Sequence, residues 1–404
     1  MSARVPAKRL AGFYFWYYAA IGALIPYLGL YLLERGLDAA QIGLAFGLLA
    51  GTRVFAPFFW GWLADRSGRR LRVILSTLGC ALVCFALLPF LPAPGPLILA
   101  VVAYGLFVNG TMAQFEVLTF AHLREDTGRY PRLRLWGSVG FIAAVALLGP
   151  VLEWLGVASL PWWIAGMFAV AWLIGRRLTE LPAVAAGGGA ALWTVARRPA
   201  VLALLAGTLL SQIAFGPYYG FLSIYLQDHG YGKDSIGLMW SIGVVAEVVL
   251  FWKIGARLKG LSLPMLFLWS QLATVARWLL LISLVDHPVW LATAQLLHAA
   301  SFGLYHLAAV NLIQQLFPPA LQGRGQALYI GASYGLGGAI GGWASGVLWE
   351  RLDQELIWVL ASVFALAAGL LVWWAFGAPR SVRQSLLLAS PGAGQLAAER
   401  PDIV

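Results

Sequence analysis

Charge is scarce in this chain. Only 11% of its 404 residues are Asp, Glu, Lys or Arg, against about 25% in soluble globular domains. With 61% apolar residues and a mean hydropathy of +0.79, too few polar groups remain to clothe a water-facing surface, which excludes a soluble globular protein. Cysteine is nearly absent: the chain has Cys80 and Cys84, one helical turn apart. That excludes a disulfide framework, and the pair reads as small core residues. No His, Cys, Asp or Glu cluster has metal-ligand spacing, so no metal is expected. A phosphate-binding glycine loop is missing as well, so no cofactor is expected and ATP would need a separate subunit.

What the chain has in abundance is apolar runs of about 20 residues, the length that crosses a bilayer. They fall at 10–33, 40–63, 73–90, 97–121, 135–152, 160–175, 200–226, 235–256, 263–284, 289–316, 325–349 and 356–377. The expected fold is an all-α integral membrane protein with twelve transmembrane helices. Basic RVPAKRL before the first run resembles a signal-peptide start, but the run is too long for one and reads as an uncleaved helix. Lysine and arginine set the orientation. With the N-terminus inside, 22 of 27 lie in cytoplasmic segments, while Arg35, Lys233 and Arg351 lie outside and Arg53 and Arg277 within spans. Both termini are therefore expected in the cytoplasm. The net charge of +10 reflects this bias and contact with an anionic leaflet, not nucleic-acid binding.

Six runs precede the segment 176–199 and six follow it. The chain also repeats at an offset of 194: YLLERGLDAAQIGL (31–44) lies over YLQDHGYGKDSIGL (225–238). Tyr31 matches Tyr225, Gly36 matches Gly230, Gly43 matches Gly237 and, further along, Gly61 matches Gly255. The expected organisation is a six-helix bundle at 1–178, a cytoplasmic loop at 179–199, a second bundle at 200–378 and a tail at 379–404, with 381–404 expected to be disordered. Two pseudo-symmetric halves of one topology are parallel repeats, for which the binding site is expected near the midplane between them.

On these features the whole chain resembles the major facilitator superfamily. The most specific motif is GWLADRSGRR (61–70), similar to that superfamily's loop between spans two and three. Gly61 permits close helix approach, Asp65 can cap or pair across the half, and Arg66, Arg69 and Arg70 hold the cytoplasmic side, with Gly61, Asp65, Arg66, Gly68 and Arg69 expected as parts of a gate. The second half keeps Gly255 in GARLKG (255–260) but has Lys259 where Asp65 would repeat. Three stretches, RLRLWGSVGF (132–141), the region 218–251 and QLLHAASFGLYHLAAV (295–310), resemble the phenylpropionate permease family, which is related to lactose–proton symporters. The resemblance implies proton-coupled import of a small organic anion, such as an aromatic carboxylate, by a monomer in the bacterial inner membrane.

Charges inside spans are costly and usually face a cavity or a partner. Of 17 acidic residues only Glu116 and Glu247 lie deep in spans, facing Arg53, Arg277 and, at a span entrance, Arg134. Glu116 shares a helix face with Asn109, and its spacing to Arg134 equals that of a substrate-binding pair in lactose permeases. The expectation is that Arg134 pairs with Glu116; an ion pair that merely fixes two helices and an unpaired, snorkelling Arg134 remain open. Arg53 and Glu247 are 194 apart, so they occupy matching positions and could form a salt bridge across the halves. Arg277 and His298 match positions used by lactose–proton symporters, but Ser301 and Gln295 replace the carboxylate and lysine of that pattern. Any proton is then expected on Glu247 or Glu116, with His298 able to titrate. His306 is placed roughly 80° round the helix from His298.

Three arginines against two carboxylates leave room for a substrate carboxylate, which an arginine fork can grip. Arg277 and Arg53 are the expected anion contacts, with Glu116 and Arg134 orienting the substrate. Tyr27, Tyr218, Tyr219 and Trp240, in or near the aromatic clusters FYFWYY and GPYYGF, could stack on an aromatic ring, although aromatic belts at membrane interfaces account for many such residues. Gly216–Pro217 is expected to break span seven. A proton-antiport exporter is the alternative function: Gly140, Gly149 and Pro150 only partly match the antiporter pattern of span five. An intramembrane enzyme fails for want of a nucleophile–base pair.

Overall fold

In the computed structural model, residues 5–124, 126–181, 192–254 and 260–377 are described. The stretch at 255–259 with Gly255 and Lys259, most of the glycine-rich linker, and the tail beyond 377 lie outside them. Among the described residues the chain is helical, with no strand. The helices are α1 Ala7–Glu34, α2 Ala39–Gly51, α3 Ala56–Ser67, α4 Arg70–Leu87, α5 Gly95–Leu123, α6 Tyr130–Leu155, α7 Leu160–Gly175, the short α8 Leu192–Ala196, α9 Pro199–Ala214, α10 Gly216–Asp228, α11 Lys233–Ile254, α12 Leu263–Leu284, α13 Pro288–Leu296, α14 Tyr305–Leu316, α15 Gln322–Ile330, α16 Gly338–Trp349 and α17 Gln354–Gly377.

Several expected spans are single apolar helices and others are broken. Ten helical stretches are long and apolar enough to cross a membrane, or eleven if α2 and α3, bent by 40°, count as one. The remaining expected span, the eleventh at 325–349, is helical through α15, a wide π turn at Gly331–Gly337 and α16, but its glycines keep it below the hydropathy of the rest. The break between α2 and α3 has a covalent cause. Pro57 has no N–H to give the carbonyl of Arg53 four residues earlier, and a 3₁₀ turn, Thr52–Val54, takes up the strain. Phe215 alone separates α9 from α10 ahead of Pro217, where a break was expected.

Outward-facing apolar side chains match a lipid environment: Phe90, Leu147, Trp154, Trp252 and Val289 are each exposed by two thirds or more. Cys80 is among the outward-facing positions, not in the core, because Ala81 and Phe85 occupy the buried face of α4.

The contacts divide the chain into two compact units. The first holds Met1–Ala185, Gly216–Val245 and Gly342–Gln354; the second holds Ala186–Phe215, Ala246–Gly341 and Glu355–Val404. Within the first unit, backbone meets backbone where side chains are missing: a Cβ on Gly43 would lie 2.6 Å from the Cα of Gly346. The repeat is visible in hydrogen bonding here. The amide of Ala39, first in α2, donates to Glu350 at 2.9 Å, and that of Lys233, first in α11, donates to Glu153 at 2.8 Å. Ala39 and Lys233 are 194 residues apart, and each carboxylate sits at the positive end of a helix. In the second unit, Val201, Leu204, Phe267, Tyr305, Leu312 and Phe317 belong to one buried cluster.

Candidate functional site

The first unit builds a cation on an aromatic platform. Tyr14 and Tyr18 are one turn apart on α1, and Tyr130 and Arg134 one turn apart on α6, so each pair shares a face. The Arg134 guanidinium lies over the Tyr18 ring at 4.0 Å from its centroid and 6.0 Å from that of Tyr14. Glu116 of α5 accepts a hydrogen bond from the Tyr130 hydroxyl at 3.1 Å. This corrects the expected Arg134–Glu116 pair: among the described residues no ion pair within 4 Å links them. Tyr130 takes the carboxylate and Tyr18 the guanidinium, although Arg134 still acts on Glu116 through space. The edge N–H groups of Arg134 find no hydrogen-bond acceptor among the described residues. Tyr14 donates to Thr119 at 3.2 Å, which fixes the platform.

Arg53 sits in the 3₁₀ turn and is half-buried. Thr52 beside it accepts from Asn109 of α5 at 2.8 Å, so Asn109 anchors the break. Arg53 acts through space on Tyr17 and Tyr104, and the buried Tyr104 hydroxyl has no hydrogen-bond partner among the described residues.

The second unit holds its arginine differently. Arg277 of α12 is fully buried. Its Nε donates to the Ala294 carbonyl at 2.8 Å, one terminal nitrogen to Ser301 Oγ at 2.9 Å and His298 Nδ1 at 3.2 Å, and the other to Gln295 Oε1 at 3.4 Å. Arginine can only donate, so Nδ1 of His298 must accept and its proton sits on Nε2. Nε2 faces Glu247 Oε2 at 3.8 Å, longer than a hydrogen bond. Glu247, His298 and Arg277 thus form one array; the sequence pattern groups Arg277 with His298 and sets Glu247 against Arg53 instead. A π turn, Ala299–Leu304, follows His298. Its extra residue lets the eight positions from His298 to His306 span two turns, so both rings stack in line on Phe302, at 5.3 Å and 6.1 Å, contrary to the 80° offset expected from an ideal helix.

The expected aromatic contacts are committed to packing in this conformation. Tyr27 is fully buried and its hydroxyl donates to the Val145 carbonyl at 3.1 Å. Tyr218 packs against Trp240 with the rings tilted and their centroids 4.7 Å apart, and Trp240 donates to Ser223 at 3.0 Å. All three rings are buried. In the gating motif Asp65 accepts from Arg70, which also donates to Gln114. Gly68, at φ 62°, ends α3 in the left-handed region, and Arg66 lies 5.4 Å from the Trp62 ring. Arg69 donates its amide to Ser67 at 3.3 Å, and a Cβ on Gly61 would lie 3.2 Å from Gln114. Glu180 accepts from the amide of Leu71 at 2.9 Å and caps α4, a contact with no sequence signal beyond its place after span six.

Chemically, the first unit offers a guanidinium ready to take a planar anion beside a carboxylate, and the second a titratable chain. Neither arrangement contains an activated nucleophile. Residues 7–360 match the family described as MFS_1 like family. The chain belongs to the MFS_1-like family. A probable 3-phenylpropionic acid transporter of Escherichia coli (strain K12) is 31% identical over 369 residues, covering 87% of this MFS_1-like chain and 93% of the relative. The maltose permease of Geobacillus stearothermophilus is 29% identical over 376 residues, covering 89% and 92%. The crystal structure of the nucleoside transporter NupG superposes with a TM-score of 0.80 at 17% identity, over 93% of this chain and 100% of that one, which shows the fold. This MFS_1-like protein is therefore a multi-pass membrane transporter of small molecules, and not an enzyme.

Proposed function

We propose that this transporter imports a small organic anion, an aromatic carboxylate, together with a proton, acting as a monomer in the bacterial inner membrane with both termini in the cytoplasm. The observation that carries the reading is Arg134: a half-buried guanidinium whose face is backed by Tyr18 and whose edge has no protein acceptor. A carboxylate meets that edge as a bidentate fork, and an aromatic ring attached to it meets the partly exposed Tyr18. The name of the 31% identical relative supports the same class.

Glu116 supplies the coupling. With an anion on Arg134, two carboxylates would share one guanidinium, and a proton on Glu116 removes that repulsion. Anion and proton then bind together, which is symport. The Glu247–His298–Arg277 array is a second titratable chain, in which release of His298 Nδ1 by Arg277 would let the imidazole take a proton. Arg53 is assigned to steering the anion. The six-plus-six division at 1–178 and 200–378 underlies an alternating-access cycle.

The test is uptake of labelled 3-phenylpropionate into proteoliposomes with and without an acid-outside pH gradient. Gradient-driven accumulation is expected for the native chain. Glu116→Gln should retain exchange across the membrane but lose the gradient-driven accumulation. If Glu247→Gln alone uncouples, the proton belongs to the second unit. If no variant or gradient yields uptake from folded protein, the substrate class falls and proton-antiport export takes its place.

A further inference from the structure

At their first turns α1 and α6 leave a cleft of about 460 Å³ within the first unit. The two helices are pinched together higher up, where Gly140 leaves no room for a side chain against the Phe15 carbonyl, and they diverge toward their starts. Lys8 and Trp16 line the cleft from α1, two turns apart; Arg132, Leu133 and Trp136 line it from α6, with Arg129 just ahead of them. Arg134 points to the other side of α6, so the cleft is separate from the proposed substrate site.

Two of its three cations lack an acidic partner among the described residues. Arg129 pairs with Asp126 at 3.4 Å, in an exposed contact of little strength. Among the described residues, Lys8 and Arg132 have no ion pair within 4 Å. The position is also informative. Arg9 donates to the carbonyl of Arg177, which places the cleft at the end of the bundle that carries the basic loops. The neighbouring face of α6 continues outward as Leu135, Trp136 and Val139, exposed by 51%, 51% and 41%. The site therefore has a cationic head, a tryptophan-lined wall and a side that opens to hydrocarbon.

We infer that this cleft binds an anionic phospholipid of the leaflet on the basic side of the membrane. Lys8 and Arg132 take the phosphodiester, and Trp16 and Trp136 flank the start of the acyl chains. A phosphate ion would use the cations alone and leave the aromatic wall without a role. Basic pockets between helices on the cytoplasmic side suit acidic headgroups, with each cation near an anionic surface contributing about fivefold in affinity.

Full-length protein stripped of lipid in detergent is titrated with dioleoylphosphatidylglycerol or dioleoylphosphatidylcholine, and bound lipid is read by native mass spectrometry. Phosphatidylglycerol should bind in preference. The Lys8→Gln/Arg132→Gln double variant should weaken it by roughly 25-fold, from about fivefold per charge. Arg197→Gln/Arg198→Gln removes the same charge elsewhere on the surface and should leave binding within about twofold. Equal losses in the two double variants would reduce the effect to general surface electrostatics and overturn the site. Competition by millimolar inorganic phosphate, with Trp136→Ala having no effect, would replace the lipid by a soluble anion and overturn the assignment too. Elution of each variant as a monodisperse peak guards against misfolding, and Trp136→Ala tests the wall without touching a charge.

Discussion

Arg134 and Arg277 are both arginines in or at apolar spans, yet their surroundings are opposites. Arg277 is fully buried and donates to four acceptors, two of them from one turn of the following helix. Arg134 rests on an aromatic face, with its hydrogen-bonding edge unused by the described residues. The first arrangement resists change, because removing the guanidinium strands several polar groups in a dry place. The second can accept a ligand at little cost, because no protein bond must break first. A membrane arginine is thus a framework element or a binding element according to where its N–H groups already go, and charge alone does not tell the two apart.

The largest expected effect separates them directly. Arg277→Ala would leave the Ala294 carbonyl, Ser301 and Gln295 short of a donor, at about 1–3 kcal/mol for each group left unsatisfied. It should lower the thermal unfolding midpoint sharply and yield little folded protein. Arg134→Ala should fold with a near-native midpoint but lose uptake. A stable, active Arg277→Ala variant would break the comparison, as would loss of folding in Arg134→Ala. A milder version sharpens it. Arg134→Lys keeps the charge and gives up the planar fork and the stacking. Substrate affinity should fall by about tenfold, roughly 1.4 kcal/mol, while the unfolding midpoint stays put.

Much of this was legible in the sequence. Hydropathy located the spans, and the offset of 194 foretold that Ala39 and Lys233 would begin equivalent helices, as their matched bonds to Glu350 and Glu153 show. The grouping of His298 with Arg277 followed from resemblance, whereas the approach of Glu247 to His298 did not. Other features were written in residues whose consequence is local. Pro57 dictated the break beside Arg53, but an apolar run reads through a proline. Tyr130 stood one turn before Arg134, yet the span was expected to begin at 135, which left that tyrosine outside the helix and hid its bond to Glu116. The π turn after His298 has no residue signature; it is set by packing, and it alone decides that His298 and His306 align. Hydropathy likewise could not show that Cys80 faces outward, because both faces of α4 are apolar.

The smallest expected effect concerns the platform itself. A cation over a tyrosine contributes about 0.5–1 kcal/mol at an exposed site and ~2 kcal/mol when desolvated, so Tyr18→Leu should weaken 3-phenylpropionate binding by about 2- to 30-fold at 1.4 kcal/mol per tenfold. Tyr18→Phe keeps the ring and should bind within about twofold of the native chain, since phenylalanine also presents a negative face. Titration calorimetry on purified protein reads both. The contrast between the two variants is the informative quantity, because the hydroxyl and the ring are separated by it. If Phe is as damaging as Leu, the Tyr18 hydroxyl is what matters and Arg134 is not held by its face. If neither variant changes affinity, Arg134 keeps its position without the platform, and an anion must find it by some contact other than the rings of α1.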